Sequence, residues 1–342
     1  MSKIFLQKIV ITIIAMSYSW LTVGQDLHFS QPYFSPLNLS PGMTGLMVED
    51  IRFAGSYRSQ WQSVPVPFLT FSGSADMKLP MLLKNSEKLS LAGGVLFNYD
   101  KAGDSDLTLS AFGLSGALHY KVNEKNTISI GVQSMAVQRS FSFARLQFNN
   151  QYNGDIFDPS KDTKENFNND SKAFVDISGG FSWMLSIPNT RNLAHFGIGF
   201  YHLNSPLQSF KETTDSKLAS KLTIYSGGVI QVHKKWDIVI HVLGQLQKPY
   251  EQLLATVAGR YHLSQARGKE IAIQIGSGIR VGDAIIPTIE LHYADWKFGL
   301  SYDINISKFE TATNGRGGIE LGAIYTITKV KPIDAFESCP VF

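Results

Sequence analysis

Beyond its first fifty residues the chain alternates apolar and polar positions with period two. That spacing puts successive side chains on opposite faces of a strand. The clearest stretch is Trp296, Phe298, Leu300, Tyr302, Ile304 and Ile306, interleaved with Lys297, Gly299, Ser301, Asp303 and Asn305. One face is continuously apolar and the other is small or polar. Trp236, Ile238, Ile240 and Val242 repeat this against Asp237, Val239 and His241, as do Leu89, Leu91, Gly93, Val95, Phe97 and Tyr99 against Ser90, Ala92, Gly94, Leu96 and Asn98. The pattern predicts fourteen strands. They lie at about 51–59, 68–79, 88–99, 106–121, 126–139, 172–186, 193–203, 220–233, 235–247, 251–263, 268–279, 284–294, 295–306 and 317–328. Helical periodicity is nowhere sustained, and the Gly-Gly pairs at 93–94, 179–180 and 227–228 would weaken a helix interior. The chain reads as all-β.

The connections between these strands add a second pattern. Counted from the first strand, the odd-numbered ones fall near 60–67, 100–105, 140–171, 204–219, 248–250, 280–283 and 307–316, and the three longest are all among them. Outer-membrane barrels have an even strand number, short periplasmic turns and longer outer loops. A secreted β-sandwich, the soluble alternative, has no reason to sort its connections this way. Strands of ten to sixteen residues suit a bilayer, where a spanning strand needs ~9–11, better than a soluble sheet, where ~5–6 is usual. The expected architecture is a transmembrane antiparallel β-barrel of about fourteen strands. Closure satisfies every backbone amide and carbonyl in lipid, where an open sheet edge could not persist. Trp61, Tyr99, Tyr120, Trp183, Tyr201, Trp236, Tyr250, Tyr261 and Trp296, near strand ends, are expected in interfacial aromatic girdles.

The first fifty residues divide differently. Residues 1–24 carry Lys3 and Lys8, then an apolar run from Ile9 to Met16, then Thr22 and Gly24 ahead of Gln25. This is the pattern of a secretory signal and its cleavage site. The run is shorter than the ~20 residues a membrane-spanning helix needs, which disfavours an uncleaved anchor. Residues 25–50 hold Pro32, Pro36, Pro41, Gly42 and Gly45 with Phe29, Tyr33 and Phe34 among them. They have neither strand alternation nor the aromatic-free composition of a linker. Two readings stand side by side: a plug folded into the periplasmic mouth of the barrel, or an irregular periplasmic strap packed below it. The barrel itself occupies 51–328, and 329–342 form a periplasmic C-terminal tail.

Composition narrows the function classes. Charged residues make up 17%, below the ~25% of soluble domains, and aromatics reach 12%. A net charge of +3 gives no footprint for nucleic acid. The single cysteine, Cys339, excludes an internal disulfide and any multi-cysteine metal centre. No Gly-x-Ser-x-Gly elbow occurs. His195 or His202 beside a nearby serine could be imagined as a hydrolase dyad at the barrel rim, yet a strand-borne histidine in a barrel reads better as lumenal or interfacial. Asp100, Asp104 and Asp106 cluster in one short stretch without the rest of a calcium loop, so a solvated outer turn is the better reading. GSGIRVG at 276–282 reads as strand glycines and a turn, since no helix follows it. No cofactor and no metal are expected. The loop 140–171 is rich in Asn and Asp but carries Phe143, Phe148, Tyr152, Phe157 and Phe167, a composition suited to contact with another protein.

Several segments together resemble the PorP/SprF family of Bacteroidetes outer-membrane proteins. They are QDLHFSQPYFSPLNLSPGMTG at 25–45, YRSQW at 57–61, YDKAGDSDL at 99–107, FGIGFYHLNSP at 196–206, GLSYDINISKF at 299–309, GGIELGAIY at 317–325 and CPVF at 339–342. They run in family order across the chain from residue 25. One departure is Ser40, where an asparagine usually precedes the proline. The resemblance implies a non-enzymatic outer-membrane component of the type IX secretion and gliding system, helping to translocate or retain a secreted surface protein or adhesin. It also implies contact with periplasmic components of that machinery, beside outer-membrane lipid. The place of Cys339 and Phe342 in the CPVF terminus suggests docking there. The expected partner-contact residues are therefore Phe148, Tyr152, Phe157, Phe167, Cys339 and Phe342. The rival readings are a FadL-like or porin-like uptake channel, which would need an open or apolar-gated lumen, and an outer-membrane hydrolase.

Overall fold

The computed structural model describes residues 26–60, 68–79, 88–103, 106–143, 146–152, 154, 156–164, 170–210, 216–266, 268–307, 313 and 315–328. Residues 1–25, which include the expected signal sequence, residues 329–342, the expected tail, and Trp61 and Asp104 lie outside the described residues. Fourteen strands follow one another along the chain. They are β1 (Ile51–Gln60), β2 (Phe68–Leu79), β3 (Leu89–Ala102), β4 (Leu107–Lys121), β5 (Asn126–Ser140), β6 (Ser171–Ser186) and β7 (Leu193–Tyr201). The second half comprises β8 (Lys221–Gln231), β9 (Trp236–Gln247), β10 (Tyr250–Ser264), β11 (Ile271–Arg280), β12 (Ala284–Tyr293), β13 (Trp296–Asn305) and β14 (Arg316–Ile327). Each strand pairs antiparallel with its neighbour in sequence, and β1 pairs with β14 from Ile51↔Ile327 to Gln60↔Gly318, closing the barrel.

Antiparallel succession puts all odd connections at one mouth. The long ones, 141–170, 202–220 and 306–315, therefore share the mouth opposite the start of β1. The other mouth carries the short turns 122–125, 187–192, 232–235, 265–270 and 294–295, together with 80–88.

The period-two pattern resolves into an outside and an inside. Trp296, Phe298, Leu300, Tyr302 and Ile304 on β13 all point outward and are exposed, as are Ile238, Ile240 and Val242 on β9 and Ile128-side neighbours such as Ile130 and Val132 on β5. This apolar wall is the lipid-facing surface, since a closed barrel leaves no backbone group unpaired within the bilayer. Near the short-turn mouth Trp296 stacks on Tyr325, with ring centroids 4.5 Å apart, and Trp236 packs on Tyr261 at 4.8 Å. Two of the expected girdle residues face the other way. Tyr201 is buried and its hydroxyl donates to the Leu37 carbonyl, and Tyr250 lines a lumenal cavity. Position near a strand end does not determine the face; parity within the strand does.

Inside, the barrel is not hollow. The N-terminal segment threads the lumen from one mouth to the other. Asp26 meets Lys221 and Gln247, at the start of β8 and the end of β9, beside the long loops. Asp50, at the far end, donates its N–H to the carbonyl of Ile327 at the short-turn rim. The sequence suggested a segment confined to the periplasmic mouth or packed below it; the chain instead passes through the whole height of the barrel. Three 3₁₀ turns, Pro32–Phe34, Pro36–Asn38 and Pro41–Met43, compact it on the way. Each opens on a proline. A proline there removes a backbone N–H that the first turn could not satisfy and presets the required φ.

Candidate functional site

The thread is held by side chains that the strands point inward. At its upper end, Arg58 of β1 donates to the His28 carbonyl (2.7 Å) and to the Asp303 carboxylate (2.6 Å). Arg280 of β11 donates to Asp303 (2.9 Å) and to the Ser30 hydroxyl (2.6 Å), which in turn donates to Asp303 (2.6 Å). Glu320 of β14 accepts the backbone N–H groups of Ser30 (2.6 Å) and Gln31 (2.7 Å). The Gln31 amide donates to Ser301 (3.0 Å). Arg58, Asp303 and Glu320 are each only 1% exposed. Charges this deeply buried persist only when paired and hydrogen-bonded. Here two guanidiniums and two carboxylates pair with one another and bind four groups of the thread: the His28 carbonyl, the Ser30 hydroxyl and the N–H groups of Ser30 and Gln31.

One turn further down, packing takes over. The Phe34 ring lies over Gly299 of β13 and Gly322 of β14, where an added Cβ would come within 2.4 Å of the ring. It also contacts Ala54 and Ile324, so it sits against the seam that closes the barrel. Tyr33 stacks on His241 at 4.2 Å and donates its hydroxyl to Glu290 at 2.7 Å. Leu37 packs among Leu96, Ala111, Met135 and Val137, while Leu39 and Met43 pack among Tyr225, Leu243, Leu254 and Ile286. Across the lumen the Pro41 carbonyl would stand 2.2 Å from a Cβ at position 131, and the Ser40 hydroxyl 2.3 Å from one at 180. These glycines are the seats of the thread in the barrel wall.

At the lower end the Gly45 N–H donates to Asp76 (2.6 Å), which also receives Arg52 (2.7 and 3.0 Å). Arg52 continues to the Met43 carbonyl (3.0 Å), and Thr44 bonds Ser115 (2.6 Å). The upper tip is different. Asp26 pairs with Lys221, and the His202 ring bridges Asp176 (3.0 Å) and Asp26 (3.4 Å). Burial alone would pull the His202 imidazole down, but its two carboxylate partners outweigh that and hold it above the ordinary histidine value. Burial likewise pushes Asp26 up, and Lys221 with His202 brings it well below the usual carboxylate range. Beside this tip lies a cavity of about 380 Å³ lined by Leu27, Phe68, Asp100, Leu107, Arg139 and Tyr250. Asp100 belongs to β3 and accepts the Thr70 hydroxyl (2.6 Å), so it is a wall residue rather than part of a solvated turn. A smaller cavity of about 180 Å³ lies on the short-turn side, lined by His195, His241, Arg260, Glu290, His292 and Lys297.

The residues expected to contact a partner fall elsewhere. Phe148, Tyr152 and Phe157 lie on the connection 141–170 at the long-loop mouth. Tyr152 and Phe157 form an antiparallel bridge and Phe143 packs on Phe148 at 5.4 Å. Tyr152, Ile156 and Phe157 are exposed there. Phe167, Cys339 and Phe342 lie outside the described residues. The imagined pairing of a histidine with a serine finds no support at His202, whose two ring nitrogens face carboxylates. His195 faces the separate lower cavity.

Residue-by-residue reading missed the lumenal lock, although its members stand inside the quoted motifs. QDLHFSQPYF supplies Asp26, Ser30, Gln31 and Phe34; YRSQW supplies Arg58; GLSYD supplies Gly299, Ser301 and Asp303; GGIELG supplies Glu320 and Gly322; YHLNSP supplies His202. The signal was available as charge on the inward parity of strands. Arg58, Asp303 and Glu320 each occupy a lumenal position that bare solvation would not require.

The sequence matches the family described as type IX secretion system membrane protein PorP/SprF over residues 22–325. The chain belongs to this family. No curated protein matches it. Among solved structures it is similar to the Ralstonia pickettii toluene transporter TbuX, at 9% identity and a TM-score of 0.49, covering 86% of this chain and 94% of that one. A Pseudomonas aeruginosa FadL homologue gives 11% identity and a TM-score of 0.47, covering 84% and 92%. BamA from Haemophilus ducreyi lacking POTRA domains 1–3 gives 11% and 0.41, covering 80% and 70%. These are likenesses of barrel fold alone.

Proposed function

We propose that this barrel is a non-catalytic outer-membrane component of the type IX secretion and gliding system, where it helps a secreted surface protein across the membrane or holds it at the surface. The observation that carries this reading is the thread: the waist of the lumen is occupied by residues tied through buried ion pairs and glycine seats. Such a filling sets this lumen apart from an open, porin-like pore. The apolar outer wall supports a place in lipid, and the gathering of the long connections at one mouth supports reading that mouth as the surface side. The partner is then met by the loop aromatics Phe148, Tyr152 and Phe157, with Phe167. The opposite rim and the tail bearing Cys339 and Phe342 face the periplasmic machinery.

Two measurements test this. A photo-crosslinker at Tyr152 in the native outer membrane is expected to capture a protein bearing a type IX secretion signal. Single-channel recording of the purified barrel is expected to show a closed pore that opens when residues 26–45 are deleted. A wild-type barrel that conducts like a porin, or that takes up apolar solutes into liposomes, would establish the uptake channel instead.

A further inference from the structure

We infer that the lumen wall is a peptide-recognition site, and that residues 29–44 are its resident ligand rather than merely an inner layer of the fold. Three features separate recognition from filling. First, the wall reads backbone as well as side chains: Glu320 takes two successive N–H groups, Arg58 takes the His28 carbonyl and Arg52 takes the Met43 carbonyl. Second, it carries a shaped slot for one aromatic side chain, where Gly299 and Gly322 admit Phe34 four residues after Ser30. Third, the ligand is preorganised by prolines at 32, 36 and 41, each heading a 3₁₀ turn. Preorganisation lowers the ordering cost of binding.

The polar lock and the aromatic slot are contributed by β1, β11, β13 and β14, which the closing β1–β14 pairing brings together. The ligand class follows from the geometry: a proline-punctuated peptide with adjacent Ser and Gln, a proline next, and an aromatic residue four positions after the serine. A tether at Asp50 raises the effective concentration of the resident copy. The contacts themselves do not depend on the tether, so the site should hold the peptide when the covalent link is cut. This inference rests on the wall geometry and not on the secretion reading.

The first arm of the test uses the whole chain. A protease site placed between Val48, which is exposed at the short-turn mouth, and Glu49 allows the thread to be severed after the barrel has folded. The severed thread is expected to co-purify with the barrel and to keep the pore closed. In parallel, a synthetic peptide of residues 26–47 added to a barrel lacking them should bind and close the pore. The Phe34→Ala peptide should bind at least tenfold more weakly, and a Gly322→Val barrel should discriminate poorly between the two peptides. The inference is overturned if the severed thread is lost at once on washing, or if the wild-type and Phe34→Ala peptides bind the deleted barrel equally. Both readouts use purified protein without a secreted partner, so their failure would leave the secretion role standing, and failure of partner capture would leave this site standing.

Discussion

Strand β13 carries two codes on one backbone. Its outward residues, Trp296, Phe298, Leu300, Tyr302 and Ile304, share only a chemistry: they are apolar or aromatic and each is between 40 and 44% exposed. Its inward residues, Gly299, Ser301 and Asp303, are individually fitted, one to a ring, one to an amide and one to two guanidiniums. The lipid side asks that a residue be greasy, while the lumen side asks which residue it is. A bilayer is a fluid solvent that reshapes around a changed side chain, whereas a packed interior transmits a mismatch of one methylene to its neighbours.

That contrast can be attacked from both sides. The largest effect is expected from Arg58→Met, which leaves Glu320 buried without its guanidinium and frees the His28 carbonyl. Breaking one partner of a buried pair costs ~3–5 kcal/mol, to be read from denaturant unfolding in vesicles. The variant Asp303→Asn should cost less than Arg58→Met because Arg280 still reaches an oxygen there. Next comes a charge on the outer wall. Leu300→Arg should cost ~2–4 kcal/mol if the residue sits near the bilayer midplane, while leaving pore closure intact, because no contact to the thread is touched.

A smaller loss of stability, ~1–3 kcal/mol of overpacking, is expected for Gly322→Val, but with the thread displaced and conductance raised. The same change combined with Phe34→Ala should recover part of the loss. Below these lies the pH response of the upper tip. The His202 value is raised in the fold, so its contribution is complete below the unfolded value of ~6.5 and is lost as pH rises through the folded one. The protection factors of the Asp26 and Leu27 amides, corrected for the base-catalysed intrinsic rate, should therefore fall on the alkaline side, and His202→Gln should flatten that fall. Last, Ile304→Leu on the lipid face should change stability by no more than ~0.5 kcal/mol. A large effect there would mean the outer wall is fitted too.

The strands were legible because alternation is a local signal. The stretch expected at 126–139 spans 126–140, and that at 284–294 spans 284–293. One overrun, 193–203 against the observed end at Tyr201, has a backbone cause: His202 takes a φ of 59°, which ends the strand while the apolar pattern runs on through Leu203. The route of residues 26–50 was not legible. Its contacts join positions up to 290 apart in sequence, and no periodicity within the segment reports which wall residue it will meet. What could be seen was a set of charges on inward strand positions. Their partners became assignable only when the barrel brought β1, β11, β13 and β14 to the same height.

The direction in which the segment runs gives the barrel a mechanical polarity. It is joined covalently to β1 at the short-turn rim, and its Asp26 end lies at the opposite mouth. Tension from the long-loop side first breaks the Asp26–Lys221 contact, then draws the chain taut. At ~3.3–3.6 Å per extended residue, a segment of this length still passes through the lumen from its fixed point. Tension from the short-turn side can withdraw it completely. The molecule is therefore tethered on one side: a pull on the Asp26 end from the long-loop mouth leaves the chain spanning the bore, whereas withdrawal toward the short-turn rim, where the chain is fixed at Asp50, clears it.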